Sequence, residues 1–170
     1  MSETLSASLP SDLEARITRV LQNLCDRNLT VATVESCTGG LIASVLTDVE
    51  GCGHAFERGF ITYSEAAKIE DVDVPAALIE AHTAVSAEVA EAMARGGLRR
   101  STADLALSVT GYAGPAGDGT EEGLVHLALA RREGGVVCAE RHFGAIGRGG
   151  VRMATLEAAV DLVESALNQA

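Results

Sequence analysis

The stretch TVATVESCTGGLIASVLTD, residues 30–48, decides how this chain folds. TVATV is short, apolar and rich in β-branched residues, the pattern of a strand buried on both faces. Gly39 and Gly40 allow a tight turn, and LIASVL then turns Leu41, Val45 and Leu46 inward at helical spacing. A strand, a glycine turn and a helix in that order begin an α/β domain.

Working outward, the same alternation recurs. Upstream, Ser11 offers an N-cap oxygen with Glu14 three residues on, a capping-box pattern. Leu13, Ile17, Val20, Leu21 and Leu24 follow on one helical face, and that helix should stop near Asn28. Residues 1–10 read as a loose leader, and the domain runs from 11 to 170. Downstream, GFITYS (59–64) is a second strand. A short helical stretch near 65–70 carries Lys68, and another follows Pro75. Ser86, with Glu88 in its first turn, opens a helix through Ala94 that should end at Gly96-Gly97. ADLALSVTG (103–111) is a third strand and leads into the loop GYAGPAGDGTEEG. GLVHLALARR (123–132) and VVCAERHF (136–143) pair as a β-hairpin across the Glu133-Gly134-Gly135 turn. An amphipathic helix from about Arg148 to Leu167 closes the chain. Without repeats or linkers this is one domain, expected as a three-layer α/β/α sandwich with a mixed sheet.

Composition agrees. A chain of 170 residues can bury roughly 70% of its unfolded surface, so no metal or disulfide staple is needed. With 3% aromatic residues and no Trp, the core must be built from Ala, Val, Leu and Ile. A net charge of −11 repels phosphate backbones and argues against a nucleic-acid partner. It leaves room for a small anion held by one or two arginines. Cys25, Cys37, Cys52 and Cys138 form no CxxC pair, and His54, His82, His126 and His142 lack zinc-ligand spacing. The cysteines are expected as small buried thiols in a reducing compartment, with Cys37 notable for its neighbour Ser36. The N-terminus has no basic and apolar signal-peptide regions, and no apolar run approaches 18 residues. A cytoplasmic protein with no membrane partner is expected. The Ala-rich last helix and the hairpin suggest a homo-oligomer.

Chemistry should gather beyond the carboxyl ends of the strands, as in open α/β sheets generally. Three junctions carry unusual residues there: ESCTGG (35–40), YSEAAK (63–68) and TGYAGP (110–115). Ser36 is a candidate nucleophile, with backbone N–H groups of the following turn available to an oxyanion. Equally, Ser36 or Thr38 could be a plain helix N-cap. Histidine is not suitably placed as a base. Lys68 is the better candidate, since a desolvated lysine loses proton affinity, and Tyr63 could orient it. A solvated surface lysine is the alternative. Thr110 is the polar side chain nearest its strand end. Arg148 and Arg152, one turn apart at a helix start, oppose the macrodipole and hint at an anionic ligand.

Taken together, ESCTGG, GFITYSEAAK (59–68), AVS (84–86), TGYAGP and FGAIGRGGVR (143–152) resemble the C-terminal domain of competence/damage-inducible protein CinA, the nicotinamide-nucleotide amidase family. The resemblance runs in order from about residue 12 to the end. It implies hydrolysis of nicotinamide mononucleotide to nicotinic acid mononucleotide and ammonia, with no metal or organic cofactor. It implies Ser36 as nucleophile, Lys68 as general base and Tyr63 assisting. Thr38, Gly39 and Gly40 would supply oxyanion amides, Thr110 and Gly111 would position the reacting group, and Arg148 would hold the phosphate. A nucleotide-binding module without turnover and an amidase on another substrate are the alternatives. Relative to the family, the loop after TGYAGP is short and lacks a Lys-Pro pair.

Overall fold

The structure is a computed structural model and describes residues 9–168. Helix α1 (Ser11–Asp26) precedes β1 (Val31–Glu35), α2 (Leu41–Leu46), a 3₁₀ turn at Gly53–Ala55 and β2 (Phe56–Ile61). Then come α3 (Glu65–Val72), α4 (Ala76–His82), α5 (Ala87–Arg99), β3 (Leu105–Gly111), β4 (Leu124–Arg131), β5 (Val136–His142) and α6 (Gly147–Asn168). The sheet order is β2-β1-β3-β4-β5, parallel across β2, β1 and β3 and antiparallel from β3 outward. This is the expected mixed sheet in a single α/β domain.

Period-two alternation sorts the strands' side chains into two unlike layers. One face turns Val31, Leu105, Leu107, Val109, Leu127 and Leu129 toward α1, α2 and α6. Each fully buried leucine there contributes about 1.5–3 kcal/mol. The other face presents Ala32, Ala106, Ala128 and Ala130 to Ala90, Ala94 and Leu98 of α5. Alanine on both surfaces lets this helix lie close to the sheet. Val34 joins Val72, Ile79, Val89 and Met93, which bind α3, α4 and α5 into the same layer.

Four local expectations change, and one falls outside the described residues. The capping box at Ser11 does not form: Ser11 is the first helical residue, and Pro10 precedes it with its carbonyl accepting from Glu14 N–H. The leader expected over 1–10 lies outside the described residues except Leu9 and Pro10. Helix α5 runs through Gly96-Gly97 to Arg99, because those glycines are packing positions rather than a stop. A Cβ on Gly96 would overlap the Val72 carbonyl oxygen, and one on Gly97 would meet Val34 Cγ2 at 2.6 Å. Helix α6 is not simply amphipathic: Val151, Leu156, Ala159, Val163 and Leu167 all sit in the core, and so do Ala158, Leu162 and Ala166. It lies in a channel between α1 and the sheet, which removes the need for one broad polar face. Finally, Cys138 is exposed on the edge strand β5, while Cys37 and Cys52 are buried and Cys25 is half-buried. Among the described residues, no helix is long and apolar enough to cross a membrane, and no group of three or more His, Cys, Asp or Glu could hold a metal ion.

Candidate active site

Because β1 lies between β2 and β3 with all three parallel, their carboxyl ends emerge on one side of the sheet. Helix α2 leaves β1 for one layer and the α3–α5 segment leaves β2 for the other. The crevice that opens at such a divergence is where open α/β sheets bind ligands. Here it is a cleft of about 240 Å³ lined by Ser36, Cys37, Tyr63, Lys68, Thr110 and Arg148, among others.

Ser36 and Lys68 meet there. Ser36 follows the last residue of β1, and its N–H donates to the Val109 carbonyl of β3, which fixes the backbone at the strand exit. Ser64 caps α3 by accepting from Ala67 N–H, and that helix carries Lys68 inward. Lys68 is only 2% exposed. Its Nζ donates to Ser36 Oγ at 3.1 Å and to the Thr62 carbonyl at 2.8 Å. The solvated-lysine alternative is therefore excluded. Among the described residues no carboxylate pairs with this amine, and burial pulls its pKa below the usual lysine value, partly opposed by Cys37 and Glu65. Burial likewise pushes the Cys37 thiol up to about 11, so it stays protonated and is a poor rival nucleophile.

Neither Ser36 nor Thr38 is a helix N-cap. Thr38 Oγ1 donates to Glu35 at 2.6 Å, and Gly40, at φ 94°, occupies the cap position without a side-chain bond. The amide bookkeeping of the turn changes the expected oxyanion donors. Gly39 N–H is taken by the Ser36 carbonyl and Gly40 N–H by Glu35. Both glycines and Thr38 lie outside the cleft lining. The Cys37 and Thr38 N–H groups find no acceptor elsewhere in the described chain, and Cys37 lines the cleft.

The remaining expected residues divide. Gly111 lines the cleft, and so does Thr110, but its hydroxyl donates to the Ala84 carbonyl at 2.8 Å and braces the 84–86 segment. Tyr63 is 65% exposed at the mouth and hydrogen-bonds neither Ser36 nor Lys68, so it does not orient the amine. Arg148 lines the cleft without a hydrogen bond or ion pair among the described residues. It rises beside Gly114, where a Cβ would sit 3.2 Å from its Nη2. Arg152 turns away from the cleft and donates through Nε and Nη2 to the Thr38 carbonyl, at 3.2 and 2.7 Å. Two participants escaped sequence reasoning. Tyr112 joins Tyr63, so both tyrosines of the chain line one cleft. Glu35 was legible only as part of a motif, although an acidic residue ending an otherwise apolar strand, just before a helix without a capping side chain, was a usable signal.

The CinA C-terminal domain model matches residues 13–167. This chain belongs to the CinA C-terminal domain family. A CinA-like protein of Geobacter sulfurreducens is 40% identical over 163 residues, covering 95% of this chain and 38% of that protein. One of Colwellia psychrerythraea is 54% identical over 112 residues, covering 64% of this chain and 26% of the relative. The CinA-family chain thus spans well under half the length of these curated relatives. Solved structures agree: competence/damage inducible protein CihA of Agrobacterium tumefaciens superposes with a TM-score of 0.90 at 40% identity, covering 99% of both chains. A CinA superfamily protein of Klebsiella pneumoniae gives 0.88 at 31% identity, covering 93% of this chain and 99% of its own.

Proposed function

We propose that this CinA-family domain hydrolyses the carboxamide of nicotinamide mononucleotide through a Ser36–Lys68 pair. The observation that carries the reading is the 3.1 Å contact between a buried amine, without a carboxylate partner among the described residues, and a serine hydroxyl at a strand exit. While protonated, Nζ donates to Ser36 Oγ. Once neutral, it keeps one hydrogen on the Thr62 carbonyl and turns its lone pair to the serine, which then donates across the same contact.

The steps balance in atoms and charge. Ser36 Oγ bonds to the carboxamide carbon as its proton moves to Lys68 Nζ. The carbonyl oxygen becomes an oxyanion, for which the free Cys37 N–H is the nearest unspent donor of the turn. Lys68 passes the proton to the departing nitrogen, and the carbon–nitrogen bond breaks to release ammonia. Water then attacks the acyl ester, with Lys68 accepting its proton and returning it to Ser36 Oγ as the ester bond breaks, and nicotinic acid mononucleotide leaves.

Substrate recognition fits the other walls. Tyr63 and Tyr112 suit a flat aromatic ring. Arg148 is a free cation in a protein of net charge −11, a place for the phosphate. Incubation of the purified protein with nicotinamide mononucleotide should release ammonia, and Ser36→Ala should lose that release. Binding without release would favour the nucleotide-binding module, and release from a different amide alone would leave the pair but not the substrate. Arg148→Ala should raise KM about tenfold with kcat within a factor of about three, a modest loss because this arginine is exposed. Steady-state kinetics with the phosphate-free nucleoside should show no such difference between the two proteins.

A further inference from the structure

Glu35 ends β1 with no exposure to solvent, one residue before Ser36. Its carboxylate is fully engaged by the segment that follows. Oε2 accepts from Thr38 Oγ1 at 2.6 Å, Gly40 N–H at 3.0 Å and Ile42 N–H at 3.1 Å, and Oε1 accepts from Ala43 N–H at 2.7 Å. A helix normally takes its cap from the residue at its own start. Here α2 has Gly40 at that place, and a side chain five residues upstream supplies the acceptor from the strand. The strand end, the turn and the helix are thereby tied into one loop, with Ser36 inside the tie. The far side of the turn is held by the two Arg152 hydrogen bonds to the Thr38 carbonyl. Glu35 also consumes the Gly40 amide, which leaves the donors nearest Ser36 free for an oxyanion.

We infer that Glu35 is a positioning residue for the Ser36 nucleophile, holding the 36–40 turn in its reactive geometry from beneath. The inference rests on Ser36 being the nucleophile but not on which amide it attacks. Glutamine cannot replace it, because all four partners are donors and an amide nitrogen would face one of them with another donor. Aspartate is one methylene short of the span to Ala43. Glu35 does not line the cleft, so its loss should act on rate rather than binding. Misplacement of a reacting group by about 1 Å can cost on the order of 10²-fold.

The test separates this inference from the substrate reading by using an alkyl fluorophosphonate. In that probe Ser36 Oγ displaces fluoride from phosphorus while Lys68 takes the proton, and intact-mass spectrometry follows the adduct. Glu35→Gln, confirmed as folded by circular dichroism, should take the label at least tenfold more slowly than the wild type. For nicotinamide mononucleotide it should lower kcat by a similar factor with KM within about twofold. A merely structural role would lower the melting temperature and leave the labelling rate of the folded protein unchanged, which overturns the inference. A wild type that takes no label at Ser36 overturns it too, since no positioned nucleophile then exists. Labelling that depends on Glu35 without ammonia release keeps the inference and defeats only the substrate. If Glu35→Gln does not fold, Thr38→Val decides by the same criterion: it removes one of the four donors and should slow labelling, with Thr38→Ser recovering the rate.

Discussion

Lys68→Met should abolish ammonia release, lowering kcat by at least about 10³-fold, with the fold intact. Loss of a general acid–base group alone typically costs 10²–10⁴-fold, and in the proposed mechanism one amine serves both half-reactions. Methionine keeps the length and apolar stem of the lysine while removing the proton carrier. The pH dependence carries a second, independent check. Lys68 must be neutral to accept the serine proton, and burial lowers its pKa. Wild-type kcat should therefore rise with pH through that lowered value, and residual Lys68→Met activity should lack the limb.

The same shift has a consequence for stability whose sign follows from linkage. Folded Lys68 gives up its proton at lower pH than the unfolded chain does. Between the lowered folded value and the unfolded value of about 10.5, the unfolded state therefore binds more protons. Below that window the charged amine is buried at full cost, and the cost is relieved as pH rises across it. The melting temperature of the wild type relative to Lys68→Met should climb with pH through the window. A flat difference would mean that Lys68 titrates normally in the folded protein.

Much of this site was legible before any coordinates, and for a physical reason. Strand ends in a parallel sheet are brought together by topology, so polar residues at three successive strand exits must share one neighbourhood. That rule made Ser36 and Lys68 candidates beside an N-cap and a solvated-lysine alternative, and the family resemblance singled out the pair together with Arg148. What was not legible depends on which partner a group finds. Spacing shows four backbone amides after Ser36 but not that the Glu35 side chain takes one of them, Gly40 N–H, together with the Thr38 hydroxyl and the Ile42 and Ala43 amides. It shows a tyrosine five residues before the lysine, but not that Tyr63 points to solvent at the mouth. Thr110 reads as a site hydroxyl, whereas its proton is committed to the Ala84 carbonyl. Ser11 fails in the same way, because a capping box needs the chain to enter in an extended turn at that residue, and the chain already begins helical there.

Gly96→Ala should lower the melting temperature by about 2–12 °C, a result opposite in sign to what helix propensity alone implies. Within a helix, alanine is better than glycine by about 1 kcal/mol. Gly96, however, is where α5 touches α3. An added Cβ would overlap the Val72 carbonyl oxygen and lie 2.7 Å from its carbonyl carbon, and these are backbone atoms that cannot rotate away. The clash must be relieved by separating the two helices, which opens the contact of Val72 with Met93 and Val89. Overpacking costs 1–3 kcal/mol or more, and a domain of this size loses about 2–4 °C per kcal/mol. Gly97→Ala meets side-chain atoms only, Val34 Cγ2 at 2.6 Å and Ala106 Cβ at 3.2 Å, and should cost less than an overlap with backbone. Val72 is the last residue of the helix that carries Lys68, so displacing it also draws Nζ away from Ser36. The folded fraction of Gly96→Ala should show kcat lowered about tenfold, while Gly97→Ala stays near the wild type. Equal melting temperatures for Gly96→Ala and the wild type would mean that α3 is free to shift. The lysine would then be held only by its hydrogen bonds to Ser36 and Thr62.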